Sequence, residues 1–180
     1  PIYDAKKKNP FFYNILGIIE ATKKNYIEAK NFFYLAIDLD KFYLQSLINL
    51  SKLSYIDKDF QKIIILLKNY YLKNQDNTKA ILHLANLTYS AGFIEDTIFF
   101  HKKLIESGKF EPEDLAALIF LLNYTSKYSD EEYKKYCKLY DEILTKNKIS
   151  YNKSRSNYDA AKIGFLSYDL RDHSVGYFLK

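Results

Sequence analysis

A period of 34 residues constrains this chain more than any other feature of its sequence. With Pro10 as position 1, Tyr13 falls at position 4, Leu16 at 7, Gly17 at 8, Ala29 at 20, Phe33 at 24 and Ala36 at 27. Small residues at 8, 20 and 27 let two antiparallel helices approach closely, and bulky ones at 4, 7 and 24 fill the space between them. One period on, Leu44 opens a second unit, with Leu47, Leu50 and Ser51 at positions 4, 7 and 8. Phe60 sits where its second helix starts, and Ile63, Leu67 and Tyr70 make this unit bulkier than the first. Thr78 opens a third, with Ile81, Leu84 and Ala85 in register. Its Gly92 stands at position 15, the turn between helices, where a left-handed backbone is often required. Pro112, Glu113 and Asp114 begin a fourth, a favourable helix N-terminus, followed by Leu115 and Leu118. The pattern predicts helices over 11–24, 26–40, 43–57, 59–74, 78–91, 93–107, 112–125 and 130–147, the last led by a cap-like Ser129.

This spacing resembles the tetratricopeptide repeat, whose units place a large residue, Leu-Gly, Ala, an aromatic and Ala at these positions. The resemblance implies an all-α fold, a tetratricopeptide-repeat superhelix (a right-handed α-solenoid) in which each unit buries its apolar face against its neighbours. The organisation expected is a lead-in over 1–9 and repeats over 10–125, divided as 10–43, 44–77, 78–111 and the start of a fourth at 112. A capping helix over 126–147 and a linker over 148–161 follow, and residues 162–180 read as something else.

In such an array the first helix of each pair lines the concave side, and positions 2, 5, 6, 9, 12 and 13 face a groove. Those positions select Asn14, beside Phe11, Ile15 and Ile18, in the first unit; Gln45, Asn49 and Lys52, beside Ile48, in the second; and Lys79, His83 and Asn86, beside Leu82, in the third. Asn49 and Asn86 each offer one acceptor and two donors to the backbone of an extended peptide. The same residues read equally as ordinary solvated positions on a helix face. The expected partner is a polypeptide, and a repeat edge or the convex face offers a surface for a homodimer. No metal site is expected, since His83 has no second ligand at i+3 or i+4. His101, at position 24, reads as a half-buried structural residue.

Composition narrows the function classes. A net charge of +5 is spread over scattered lysine pairs and triplets, such as Lys6 to Lys8 and Lys134 with Lys135, which does not resemble a nucleic-acid footprint. No apolar run is long enough for a membrane span, and residues 1–10 lack the apolar core of an export signal. A single cysteine, Cys137, forms no internal disulfide, reads as inert and points to the cytoplasm. Methionine is absent even at position 1, as expected of a cut or processed chain. The 18 tyrosines accompany abundant Lys, Asn, Ile and Phe, all with A/T-rich codons, and read as genome bias rather than a stacking platform.

The end of the chain changes character. In "KIGFLSYDLRDHSVGYFLK", Lys162 to Lys180, the run Ile163 to Leu166 suits a buried strand, a polar turn follows, and "SVGYFLK" reads as the first turns of a helix. Strand, turn and helix open a doubly wound lobe, whose ligands bind beyond the carboxyl ends of the strands, where Asp169 to Ser174 lie; a plain polar loop is the other reading. The segment resembles the start of the catalytic region of the SPINDLY and O-linked N-acetylglucosamine transferase family, glycosyltransferase family 41, at Ile163, Gly164, Ser167, Asp169, Arg171, His173 and Ser174. "ALIFLLNYTSKYSDEEYKKYCKLYDE", from Ala117 to Glu142, resembles the bacterial family's junction between repeats and catalytic region.

The resemblance implies that 162–180 begin a Rossmann-like lobe of an enzyme that moves a sugar from UDP-N-acetylglucosamine or GDP-fucose to Ser or Thr hydroxyls of proteins. The repeats would be the arm presenting the acceptor polypeptide. His173 would be the active-site histidine, hydrogen-bonding acceptor or sugar, with general-base action left open. Asp169 and Arg171 would hold the turn in shape. Most of both lobes is missing from this chain, so it is expected to hold no cofactor and to be catalytically inert by itself. A free-standing repeat scaffold is the alternative function. Residues 145–180 are expected to be the most mobile part.

Overall fold

A computed structural model of the chain describes residues 9–146, which form eight α-helices. These are α1 (Pro10–Thr22), α2 (Tyr26–Leu39), α3 (Leu44–Asp57), α4 (Phe60–Lys73), α5 (Thr78–Ser90), α6 (Ile94–Glu106), α7 (Pro112–Leu122) and α8 (Asp130–Lys146). First helices start at Pro10, Leu44, Thr78 and Pro112, spaced by the period of the sequence. The described residues form a tetratricopeptide α-solenoid. The predicted linker and the strand–turn–helix segment over 162–180 lie outside the described residues, as do residues 1–8 of the lead-in. Among the described residues no helix is long and apolar enough to cross a membrane.

Local chemistry sets the helix ends. The Asn9 side chain accepts from Phe11 N at 2.9 Å, and Asn77 accepts from Ala80 N at 3.1 Å, each relieving an orphan donor of a first turn. At α7, Glu111 N donates to Asp114 Oδ2 at 2.9 Å behind Pro112. Ser129 Oγ accepts from Glu132 N at 3.2 Å at the head of α8. Helix α7 stops at Leu122, short of the predicted 125, because Asn123 turns its side-chain amide onto the Ile119 carbonyl at 2.9 Å.

The turn inside each of the first three units uses a left-handed residue at position 15: Lys24 (φ 66°), Lys58 (φ 58°) and Gly92 (φ 79°). Only the third unit supplies the residue type suited to that conformation.

Packing follows the small-and-large pattern. A methyl group on Gly17 would lie 2.4 Å from the Phe33 ring, so the approach of α1 to α2 depends on glycine. Ala29, Phe33 and Ala36 are buried against it. One apolar core runs from Ala29 to Leu104, and a second joins Ile98 and Ile105 to Leu115, Leu118, Leu121 and Tyr136, with Phe110 touching both. In the third unit position 20 is Thr97 rather than alanine, and its buried hydroxyl meets Thr88 Oγ1 at 3.1 Å and the Phe93 carbonyl at 2.8 Å.

The second helices are tied along the array at repeating places. Position 25 of one unit meets position 19 or 21 of the next: Lys62 Nζ lies 3.9 Å over the Tyr34 ring, Lys68 pairs with Asp96 at 2.7 Å, and Lys102 pairs with Glu132. Lys102 also lies 3.7 Å over the Tyr128 ring. Such pairs contribute little individually, and they fix the register of one unit on the next.

Candidate functional site

The first helices, α1, α3, α5 and α7, bring the predicted groove positions onto one face. The sequence reading offers Asn14 to a ligand there, and the structure corrects it. Asn14 is only 2% exposed, and its Oδ1 accepts from Ser46 Oγ at 3.0 Å and from Asn49 Nδ2 at 2.9 Å. Position 5 of the first unit is roofed by α3, so Asn14 closes the junction between units instead of lining the groove.

Asn49 is half-buried and shares one donor with that junction. His83 stands one period later, and its Nδ1 lies 2.9 Å from Ser51 Oγ. Ser51 Oγ also lies 2.7 Å from the Ile48 carbonyl, which can only accept; a hydroxyl proton placed there leaves Ser51 to accept from a proton on His83 Nδ1. Burial, assisted by the charge of Lys52, holds His83 below its ordinary pKa. Gln45, Lys52, Lys79 and Asn86 are exposed and available to a partner.

Between α5 and α7 the face deepens into a concavity of about 330 Å³. Asn86 and Tyr89 line it from α5, Glu113, Asp114, Ala117, Phe120 and Leu121 from α7, and His101 from α6. His101 is more deeply buried than the sequence reading expects, at 5% exposure, and its Nδ1 has no hydrogen-bond partner among the described residues. Burial holds its pKa below the ordinary value, against a weaker upward pull from Asp114.

Of the apolar groove positions, Phe11, Ile15, Ile18, Ile48 and Leu82 are in the sequence reading; Tyr55, Tyr89, Phe120 and Tyr124 are not. Phe11, Tyr55, Tyr89, Phe120 and Tyr124 are all exposed. Each stands at a groove position, and the period alone marks Tyr55, Tyr89, Phe120 and Tyr124 as well as Phe11. Cys137 is half-buried on α8. His173, Asp169 and Arg171 lie outside the described residues.

No protein-family model matches the sequence, and no curated protein matches it. Among solved structures the chain is similar to the MamA RS-1 ArsTM double mutant, with TM-score 0.64 and 14% identity over 78% of each chain. It is similar also to MamA, residues 41 to the end, from Desulfovibrio magneticus RS-1, with TM-score 0.62 and 14% identity over 78% of each chain. A third likeness is to Pseudomonas aeruginosa pilF, with TM-score 0.58 and 18% identity, covering 78% of this chain and 61% of that one. At such identities the likeness shows the fold alone.

Proposed function

We propose that the repeats form a polypeptide-binding module, with the face built by α1, α3, α5 and α7 as the binding surface. The observation that carries this reading is the row of exposed apolar side chains there, Phe11, Tyr55, Tyr89, Phe120 and Tyr124, interleaved with Gln45, Lys52 and Asn86. Exposed apolar surface rimmed by polar groups is costly to leave wet and marks an interaction site. The free amides supply donors and acceptors that match a peptide backbone without demanding a particular side chain. Photo-crosslinkers placed at Tyr55 and Asn86 are the test: adducts with displayed peptides at these positions, absent from a crosslinker at exposed Ile27, are expected. Adducts that favour Ile27 would overturn the reading.

The residues over 162–180 favour a finer version. On the resemblance carried by Ile163, Gly164, Ser167, Asp169, Arg171, His173 and Ser174, the module is the acceptor-presenting arm of a protein O-glycosyltransferase that uses a sugar nucleotide, UDP-N-acetylglucosamine or GDP-fucose. His173 is then the active-site histidine, and the 180-residue chain alone is inert. The native product, detected in its own cells with an antibody to this segment, tests the idea. A species with room for two further lobes, transferring sugar to protein, supports it. A species near 21.3 kDa would leave a free-standing scaffold.

A further inference from the structure

We propose that the concavity between α5 and α7 is a pocket for one basic side chain, arginine or lysine, of a polypeptide lying on the first-helix face. The inference rests on that face being the binding surface, and it adds what the surface selects. At about 330 Å³ the pocket is at the small end of ligand sites and has room for one long side chain.

Its chemistry is that of a cation site. Glu113 and Asp114 stand on one wall, and neither forms an ion pair among the described residues, although the chain as a whole carries a net charge of +5. Asp114 spends Oδ2 on Glu111 N and has a second oxygen to offer. Tyr89 and Phe120, both more than half exposed, flank the same space, and aromatic rings attract a cation placed over their faces.

Two acids in a first turn are explained by the helix dipole alone. His101 is not so explained. It lines the pocket at 5% exposure, and its Nδ1, closed to water, has no hydrogen-bond partner among the described residues, a polar group that most folds would satisfy. The carboxylate oxygens, with the one acceptor nitrogen of a neutral imidazole, match a guanidinium, which presents five donors in a plane that also stacks on an aromatic ring. An acidic side chain would meet two carboxylates and no cation there, and is rejected.

The test pans the full 180-residue chain against a displayed library of random peptides. Enriched peptides are expected to share a basic residue at one fixed position. Glu113→Gln with Asp114→Asn is expected to abolish that preference and to weaken the selected peptides about tenfold or more, while still enriching peptides without it. Phe120→Ala, an exposed position that leaves the carboxylates intact, is expected to lower the preference for arginine. In parallel, N-acetylarginine amide is expected to shift the His101 ring resonances, and N-acetylcitrulline amide is not. Enriched peptides with no basic preference, a preference surviving the double variant, or equal shifts from both amides would overturn the pocket and leave the binding face standing. No enrichment of any peptide would overturn both.

Discussion

Asn49 donates its side-chain amide to Asn14 Oδ1 at 2.9 Å, and both residues stand at positions where the repeat spacing points to a groove. One residue therefore answers the other across a junction between units, and the same place one period later is held by His83 against Ser51. Asn14→Ala removes an acceptor serving two donors, the Ser46 hydroxyl and the Asn49 amide, at a site with almost no access to water. Urea unfolding is expected to show a loss of about 1–3 kcal/mol, the cost of leaving buried donors unpaired. Peptide affinity, measured where the variant is still fully folded, is expected to stay unchanged. A variant of full stability with weakened binding would return Asn14 to the groove.

Gly17→Ala tests the close approach of α1 to α2. The new methyl group would press on three atoms of the Phe33 ring, the nearest at 2.4 Å, and Phe33 is buried with little room to move. Overpacking of this kind costs about 1–3 kcal/mol, enough to outweigh the gain of about 1 kcal/mol in helix propensity. Combining it with Phe33→Leu is expected to recover part of the loss, so the two changes should be markedly non-additive. Additive losses would show that the contact is not what limits this position.

Lys24 and Lys58 hold the same left-handed conformation as Gly92 without being glycine. Lys58→Gly is expected to stabilise by up to about 1 kcal/mol, the relief of side-chain crowding less the added freedom of the unfolded chain. Gly92→Ala is expected to destabilise by a similar amount, about 1 kcal/mol, even though nothing lies within 4 Å of its added methyl group. Calorimetric midpoints moving in opposite directions for the two variants would confirm that the backbone angle, not packing, decides.

These turns mark how far the sequence was legible. The starts of α1, α3, α5 and α7 followed from spacing, because helix packing demands small and large residues at fixed positions. Position 15 announced itself only where Gly92 occupied it; a lysine in the left-handed region has no compositional signature, although its place in the period was already known. Asn14 misled because spacing gives the direction of a side chain and not the depth at which the next helix covers it. The pairing of Lys68 with Asp96, and of Lys102 with Glu132, depends on the offset between stacked units, which no single unit encodes.

Acidification should weaken the fold through its two half-buried and buried histidines. His83 and His101 both have folded pKa values below the ordinary 6.5, in each case chiefly through burial. The unfolded chain therefore takes up protons first as pH falls. Stability is full above about 6.5, and it is lost as pH drops from there through the lowered folded values. Of the charges around these rings, Lys52 adds to the effect at His83 and Asp114 opposes it at His101, where Glu113 lines the same pocket. Asp57, held below its ordinary 3.8 mainly by its hydrogen bond from Lys30, acts in a lower window, so the two losses are separable. Urea midpoints measured across the histidine window are expected to fall with pH. His101→Leu is expected to flatten part of that slope and also to remove a buried nitrogen that lacks a partner. A slope identical in wild type, His101→Leu and His83→Gln would place the acid sensitivity elsewhere.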